Sequence, residues 1–268
     1  MQIRSISAAA LAVALSAGLA QGETITFDGF GHGEIVAQGL VATEIAPGVY
    51  LKVDSFAKSF DIGAIFDTSL GGASEDPDLQ GPAANTWDGG NIASANGDAP
   101  VMGNALIISE ENEDSNNPGF VGGSDGPDDE GARPAGSLEF DFGQAGGITS
   151  FGIDIIDLER ASARNGSIKL FSAGVEVGDL SLSDETLGGA FGDIEYGDNS
   201  VNRIDPLLAA DFGVDFFDIV LITVGGSSAY DNIFYSLVPP PPGNLIPLPS
   251  AAMLGLVGCV GVASRRRR

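Results

Sequence analysis

Ser137-Leu138-Glu139-Phe140-Asp141-Phe142 is the stretch that decides the fold class. Apolar residues take every second position, and acids lie between them. Successive side chains of a β-strand point to opposite faces, so this pattern buries one face and wets the other. Outward from it the theme repeats. Candidate strands cover 24–27, 49–53, 64–66, 105–109, 137–142, 148–156, 167–172, 176–182, 201–204, 216–224 and 232–237. The run 216–224 is almost continuously apolar, which predicts a central strand buried on both faces. The 39 glycines punctuate these segments where turns are needed. No stretch carries a convincing helical period, although 206–212 could form one turn. About eleven strands at short spacing predict an all-β antiparallel sandwich of jelly-roll type.

The two ends read differently from this middle. Arg4, then an apolar run over 6–19, then Gly18-Leu19-Ala20 have the order of an export signal with its small-residue cleavage site. Residues 1–22 are therefore expected to be a signal peptide, and 23–238 the sandwich domain. Pro239 to Pro242 begin a stiff spacer over 239–245. Beyond it lie Ile246-Pro247-Leu248-Pro249-Ser250, an apolar run over 251–263, and Arg265-Arg266-Arg267-Arg268. A membrane span needs about 17–25 apolar residues, and 244–264 reaches that length only by including two prolines. The arginines would hold this end in the cytoplasm, with the domain on the far side.

The order of motif, apolar run and basic cluster over 246–268 resembles the PEP-CTERM class of bacterial sorting signals, in its Val-Pro-Leu-Pro-Ala variant. Here Ile246 replaces valine and Ser250 replaces alanine. The resemblance implies an exosortase-type membrane transpeptidase as partner. It also implies transient membrane association, cleavage near the motif, and delivery to the cell surface or extracellular matrix. A plain C-terminal membrane anchor is the alternative.

The chain carries a net charge of −25. All 37 acidic residues lie within 23–238, whereas Arg4 and Arg265 to Arg268 take five of the twelve basic ones outside it. So negative a surface repels nucleic acid and anionic lipid, and suits a salty exterior, a polycation or a divalent metal. The only cysteine, Cys259, lies in the tail. The domain has no disulfide, and its stability must come from its core and from any bound metal.

Two connections, 68–104 and 110–136, exceed the roughly 12–15 residues of ordinary loops and are rich in Gly, Asp, Asn and Pro. They and the strand ends carry clustered carboxylates: Asp67, Asp76 and Asp78; Asp128, Asp129 and Glu130; Asp154 and Asp157; Asp198; and Asp231. Hard cations such as calcium take about six to eight oxygen ligands, which such loops supply. No EF-hand loop and no glycine-rich nonapeptide calcium repeat is present. At any one position, an Asp or Asn that merely shapes a turn is the competing reading.

Ile65-Phe66-Asp67-Thr68, Asp76-Pro77-Asp78-Leu79, the run 105–110, Pro127-Asp128-Asp129-Glu130, Gly197-Asp198-Asn199-Ser200 and Tyr230-Asp231-Asn232-Ile233 resemble a recurring domain of exported bacterial proteins with this type of tail. Its general look is that of jelly-roll carbohydrate-binding modules. The resemblance implies a structural calcium site in which Asp231 joins the N-terminal strand, with Asp28 as partner. Sugar binding would want exposed aromatics. Trp87, the one tryptophan, with Asn85 and Asn91 near it, is a candidate platform; packing over the core edge is the alternative for it.

Catalysis has thinner support. His32, the sole histidine, sits between Gly31 and Gly33 and reads as a solvent-facing turn residue. No Gly-x-Ser-x-Gly elbow occurs, and zinc lacks its usual Cys and His ligands. The expectation is an exported, calcium-stabilised, non-enzymatic protein for adhesion or matrix, with polysaccharide as a candidate ligand. The alternative is a secreted glycoside hydrolase using paired carboxylates.

Overall fold

The structure, a computed structural model, describes residues 22–70, 76–82, 86–92, 100–122, 127–183 and 194–239. Residues 1–21 of the expected signal peptide (1–22), Asn85, most of the spacer and the tail from Ile246 to Arg268 lie outside the described residues. The described residues to Val238 form one compact unit. No helix among the described residues is long and apolar enough to cross a membrane.

Thirteen strands are described: β1 (Gly22–Ile25), β2 (Ile35–Gln38), β3 (Thr43–Ala46), β4 (Val49–Ser55), β5 (Ile62–Asp67), β6 (Asn104–Ile108), β7 (Gly136–Asp141), β8 (Ile148–Ile156), β9 (Ser167–Ser172), β10 (Val175–Ser181), β11 (Val201–Leu208), β12 (Ile219–Val224) and β13 (Ala229–Leu237). They form two antiparallel sheets. The first runs β11-β8-β13-β6-β5-β2, with β1 pairing along the C-terminal half of β13. The second runs β10-β9-β12-β7-β4-β3. The sheets do not close into a barrel, and the fold is the expected β-sandwich.

The alternation that opened the sequence is realised in β7. Leu138 and Phe140 are fully buried, and Glu139 faces out, 2.6 Å from Lys52 of the neighbouring strand. Phe140 and Phe142 meet Phe151 of β8 with ring centroids 6.4 and 6.3 Å apart, and Phe142 meets Tyr235 at 5.4 Å. Aromatic pairs at these spacings join the two sheets at the centre of the core.

The expectation for 216–224 is corrected. β12 begins only at Ile219 and alternates, with Val220, Ile222 and Val224 buried and Leu221 half-buried between Glu139 and Lys169 of the flanking strands. Its apolar outer residues lie among the stems of charged neighbours rather than under a second layer. The strands buried on both faces are β5, β6 and β8. The outer face of the first sheet carries a second apolar cluster: Ile62, Ala64, Phe66, Ala105 and Ile107 lie beneath Leu79, Trp87 and Met102 of the first long connection. That loop is thus a lid over one sheet.

Residues 206–208 do not turn but continue β11 past a bulge, and only Ala209–Phe212 form a 3-10 turn. Pro206 is tolerated because β11 is an edge strand and the bulge lifts its missing N–H out of the ladder. Among the described residues one α-helix, α1 (Arg160–Ala163), follows β8.

The link between β12 and β13 packs on α1. A Cβ added at Gly225 would lie 1.8 Å from the Ser162 carbonyl oxygen. Gly225→Ala should therefore cost about 1–3 kcal/mol through overpacking. A fall in the urea midpoint with unchanged slope is the expected reading, and an unchanged midpoint would contradict this close approach.

Candidate functional site

Three segments meet at one end of the sandwich. The first is anchored by Leu79, fully buried in the outer cluster. It closes a 3-10 turn, Pro77–Leu79, capped by Asp76, whose Oδ1 accepts the Asp78 N–H at 3.1 Å. The second runs beside β6. Ser109 and Asp129 form a bridge, the Glu130 N–H donates to the Ile108 carbonyl at 2.9 Å, and the Glu110 N–H donates to the Asp128 carbonyl at 3.1 Å. The third is the end of β8, where the Asp157 N–H donates to the Ser200 carbonyl at 2.7 Å.

This places carboxyl oxygens of Asp76, Asp128 and Asp129 within 4.8 Å of one another. Asp76 and Asp129 are each only 6 % exposed. Asp157 stands alongside: the Ser227 hydroxyl lies 2.9 Å from both Asp129 oxygens and 3.2 Å from Asp157 Oδ2. Asp78 and Asp198 touch through their carboxyls at the margin.

Such crowding makes ionisation costly. Burial, then the charge of Asp128, pushes Asp76 up to about 6. Burial, then Asp76, holds Asp129 well above the usual carboxylate range. Burial raises Asp157 to about 7 against the N–H that Asn199 donates to it. Asp128 is raised by burial and then by Glu110, and Asp78 by burial and then by Asp198. A bound cation reverses this pressure, because it rewards the ionised form. The donor set is all oxygen, which suits calcium, magnesium or manganese and not the softer metals.

Most of the remaining expected residues are engaged elsewhere. Asp154 makes a two-pronged ion pair with Arg203, at 2.7 and 2.8 Å, and accepts Asn232 Nδ2 at 3.0 Å, so it staples the first sheet and is not available to a metal. Asp67 Oδ1 accepts the Ser69 N–H and hydroxyl at 2.8 and 2.6 Å, shaping a turn. Glu130 accepts the Ala132 N–H at 2.9 Å and lies 3.6 Å from Lys58. Asp28 accepts the Asn104 N–H at 3.2 Å. Asp231 is buried with an unpartnered Oδ1. Burial, then Asp28 and Asp154, raises it to about 8. Neither Asp28 nor Asp231 belongs to the three-aspartate group.

Trp87 is no platform. Only 8 % exposed, it fills the outer apolar cluster, and its Nε1 donates to the Pro100 carbonyl at 2.8 Å. Its position follows from Gly81, where any Cβ would meet the indole at 2.2 Å. Asn91 is spent on β11, accepting the Arg203 N–H at 2.7 Å and donating to the Arg203 carbonyl at 2.9 Å. Asn91→Ala should cost about 1 kcal/mol by leaving those part-buried groups unpaired, read as a lower denaturation midpoint. His32 is half-buried rather than solvent-facing: its Nδ1 accepts the Asp67 N–H at 3.0 Å, and its ring packs edge-on against Phe66.

Sequence reasoning missed Ser227 and did not single out Asn199 from its Asp-Asn-Ser triplet. Nothing local marks Ser227, because it acquires its role from a fold that sets it between two distant aspartates. Comparison of the chain with protein-family models, curated proteins and solved structures returned no match.

Proposed function

We propose that this chain is an exported, surface-sorted, non-enzymatic β-sandwich whose loop end is held together by calcium, serving adhesion or the extracellular matrix. The observation that carries the reading is the approach of Asp76, Asp128 and Asp129 within 4.8 Å, two of them buried. Like charges packed this way cost stability unless protons or a cation compensate them. The export and sorting part rests on the N-terminal apolar run and on Ile246 to Ser250 with the terminal arginines. It includes processing by an exosortase-type transpeptidase.

Burial of the closest-packed acids supports the non-enzymatic reading over a glycoside hydrolase, which would place its two carboxyls on either side of an open sugar-binding cleft. With Trp87 buried, a polysaccharide ligand would be met by the polar loops rather than by an aromatic face.

The cation is tested by thermal unfolding. A native-state ligand at about a hundred times its Kd adds about 2.7 kcal/mol. For a domain of this size that is roughly 5–10 °C in Tm. Calcium should raise Tm by this order over chelator, and Asp128→Asn should reduce the rise. No shift with calcium overturns the reading. For sorting, a chain ending before Ile246 should pass into the medium, while full-length protein stays with the cell surface. Identical partition of both would reject that part.

A further inference from the structure

We propose that this end of the sandwich holds two divalent cations, the second bound by Asp157, Asp78 and the side-chain oxygen of Asn199. The inference rests on the cation reading above and adds a site to it. Ligands at about 2.3–2.6 Å from one calcium cannot lie much more than ~5 Å apart. Asp76, Asp128 and Asp129 meet that condition among themselves. Asp157 stands behind Ser227, whose hydroxyl separates it from Asp129. Its other oxygen, Oδ1, accepts the Asn199 N–H at 2.8 Å, and the charges of Asp76 and then of Asp78 reach it.

Asn199 points to the ligand. It is 4 % exposed, and its Oδ1 has no hydrogen-bond partner. Its Nδ2 donates to the Thr86 carbonyl at 3.4 Å, which turns the oxygen away from that loop. The side chain is too short to carry Oδ1 far from its own backbone nitrogen, which rests on Asp157. A buried neutral acceptor is thus left without a donor beside Asp157, whose two oxygens accept the Asn199 N–H and the Ser227 hydroxyl. A buried acceptor is almost always satisfied in native proteins, and a cation beside Asp157 would satisfy this one.

Charge points the same way. Asp76, Asp78, Asp128, Asp129, Asp157 and Asp198 gather here. Among the described residues, no lysine or arginine ion pair reaches Asp78, Asp128, Asp129, Asp157 or Asp198. One divalent ion would leave most of this charge uncompensated.

The test counts calcium ions per chain by equilibrium dialysis and titration calorimetry, in about 0.15 M salt to screen diffuse binding. An Asp231→Asn background keeps that separate carboxylate out of the count. Asn199→Gly removes the oxygen and keeps the left-handed backbone, φ 49°, accessible. It should lose one of two ions, Asp78→Asn should lose the same ion, and Asn199→Asp should retain both. Asp128→Asn should lose the other. The proposal is overturned if Asn199→Gly and Asp78→Asn bind as many ions as their parent, or if the parent binds one. A parent that binds none rejects the calcium reading itself.

Discussion

In chelator, the protein should melt at a lower temperature at about pH 8 than at about pH 5, and calcium should abolish or invert that order. The sign follows from the buried aspartates. Asp157 is raised to about 7, Asp76 to about 6 and Asp231 to about 8, from an ordinary value of 3.8. Between the ordinary and the raised value, the folded chain holds protons that the unfolded chain has released. Stability falls with pH wherever the folded state binds more protons. It is fully present below the unfolded value and lost as pH rises through the folded one. The loss therefore spans the interval from about 4 to between 6 and 8, and levels off above it.

A tenfold difference in proton affinity between the folded and unfolded chain is worth about 1.4 kcal/mol. Even after discounting for coupling among the groups, a fall of roughly 5–10 °C between about pH 5 and about pH 8 is expected. Exposed carboxylates titrate mostly below this range, and general repulsion from the net charge of −25 is weakened by salt. The fall should therefore persist at high salt. Calcium competes with protons for the same oxygens and binds best at the alkaline end, so its stabilisation should be larger there. A melting temperature that is flat or rising from pH 5 to 8 in chelator would show that these carboxyls are not buried as the structure has them.

Phe151→Ala should be the most damaging single truncation in the core. Phe151 is fully buried at the middle of β8, a strand covered on both faces, and its ring touches Phe140 and Phe142 of the opposite sheet. Removing a buried phenylalanine costs about 3–5 kcal/mol in lost transfer energy and residual cavity. For a domain of this size that lowers Tm by roughly 10 °C or more. The urea midpoint should fall with little change in slope, and Phe151→Leu should cost less. By contrast, Lys52→Ala breaks only the part-exposed pair with Glu139 and should cost under about 1 kcal/mol. Equal effects from the two substitutions would contradict the placement of the core.

Much of this was legible along the chain. The two-residue period at 137–142 names its own buried face, and the runs at 105–109 and 148–156 are long and apolar enough to be strands in any context. β2 and β3 were not legible: four residues each among glycines and polar residues, they are strands because β5 and β4 supply the partners. The apolar run 216–224 was misread because a one-dimensional pattern does not distinguish a second covering layer from flanking charged side chains. Trp87 presents the same ambiguity, since nothing beside it in the chain says whether the facing position is water or Gly81.

The acidic character of the loops, the scarcity of cysteine and histidine, and the all-β class belong to the sequence alone, because composition and short-range period are local properties. Which aspartates meet belongs to the tertiary structure. Asp76 and Asp129 are more than fifty residues apart, and Ser227 lies nearly a hundred beyond Asp129. Only the burial of Leu79, the pairing of Ser109 with Asp129 and the turn after β12 bring them to one point. Asp67 and Asp154 looked no different in sequence, yet one shapes a turn through its Oδ1 and the other pairs with an arginine. A carboxylate is freed for a cation, or consumed by the fold, according to what packs against it.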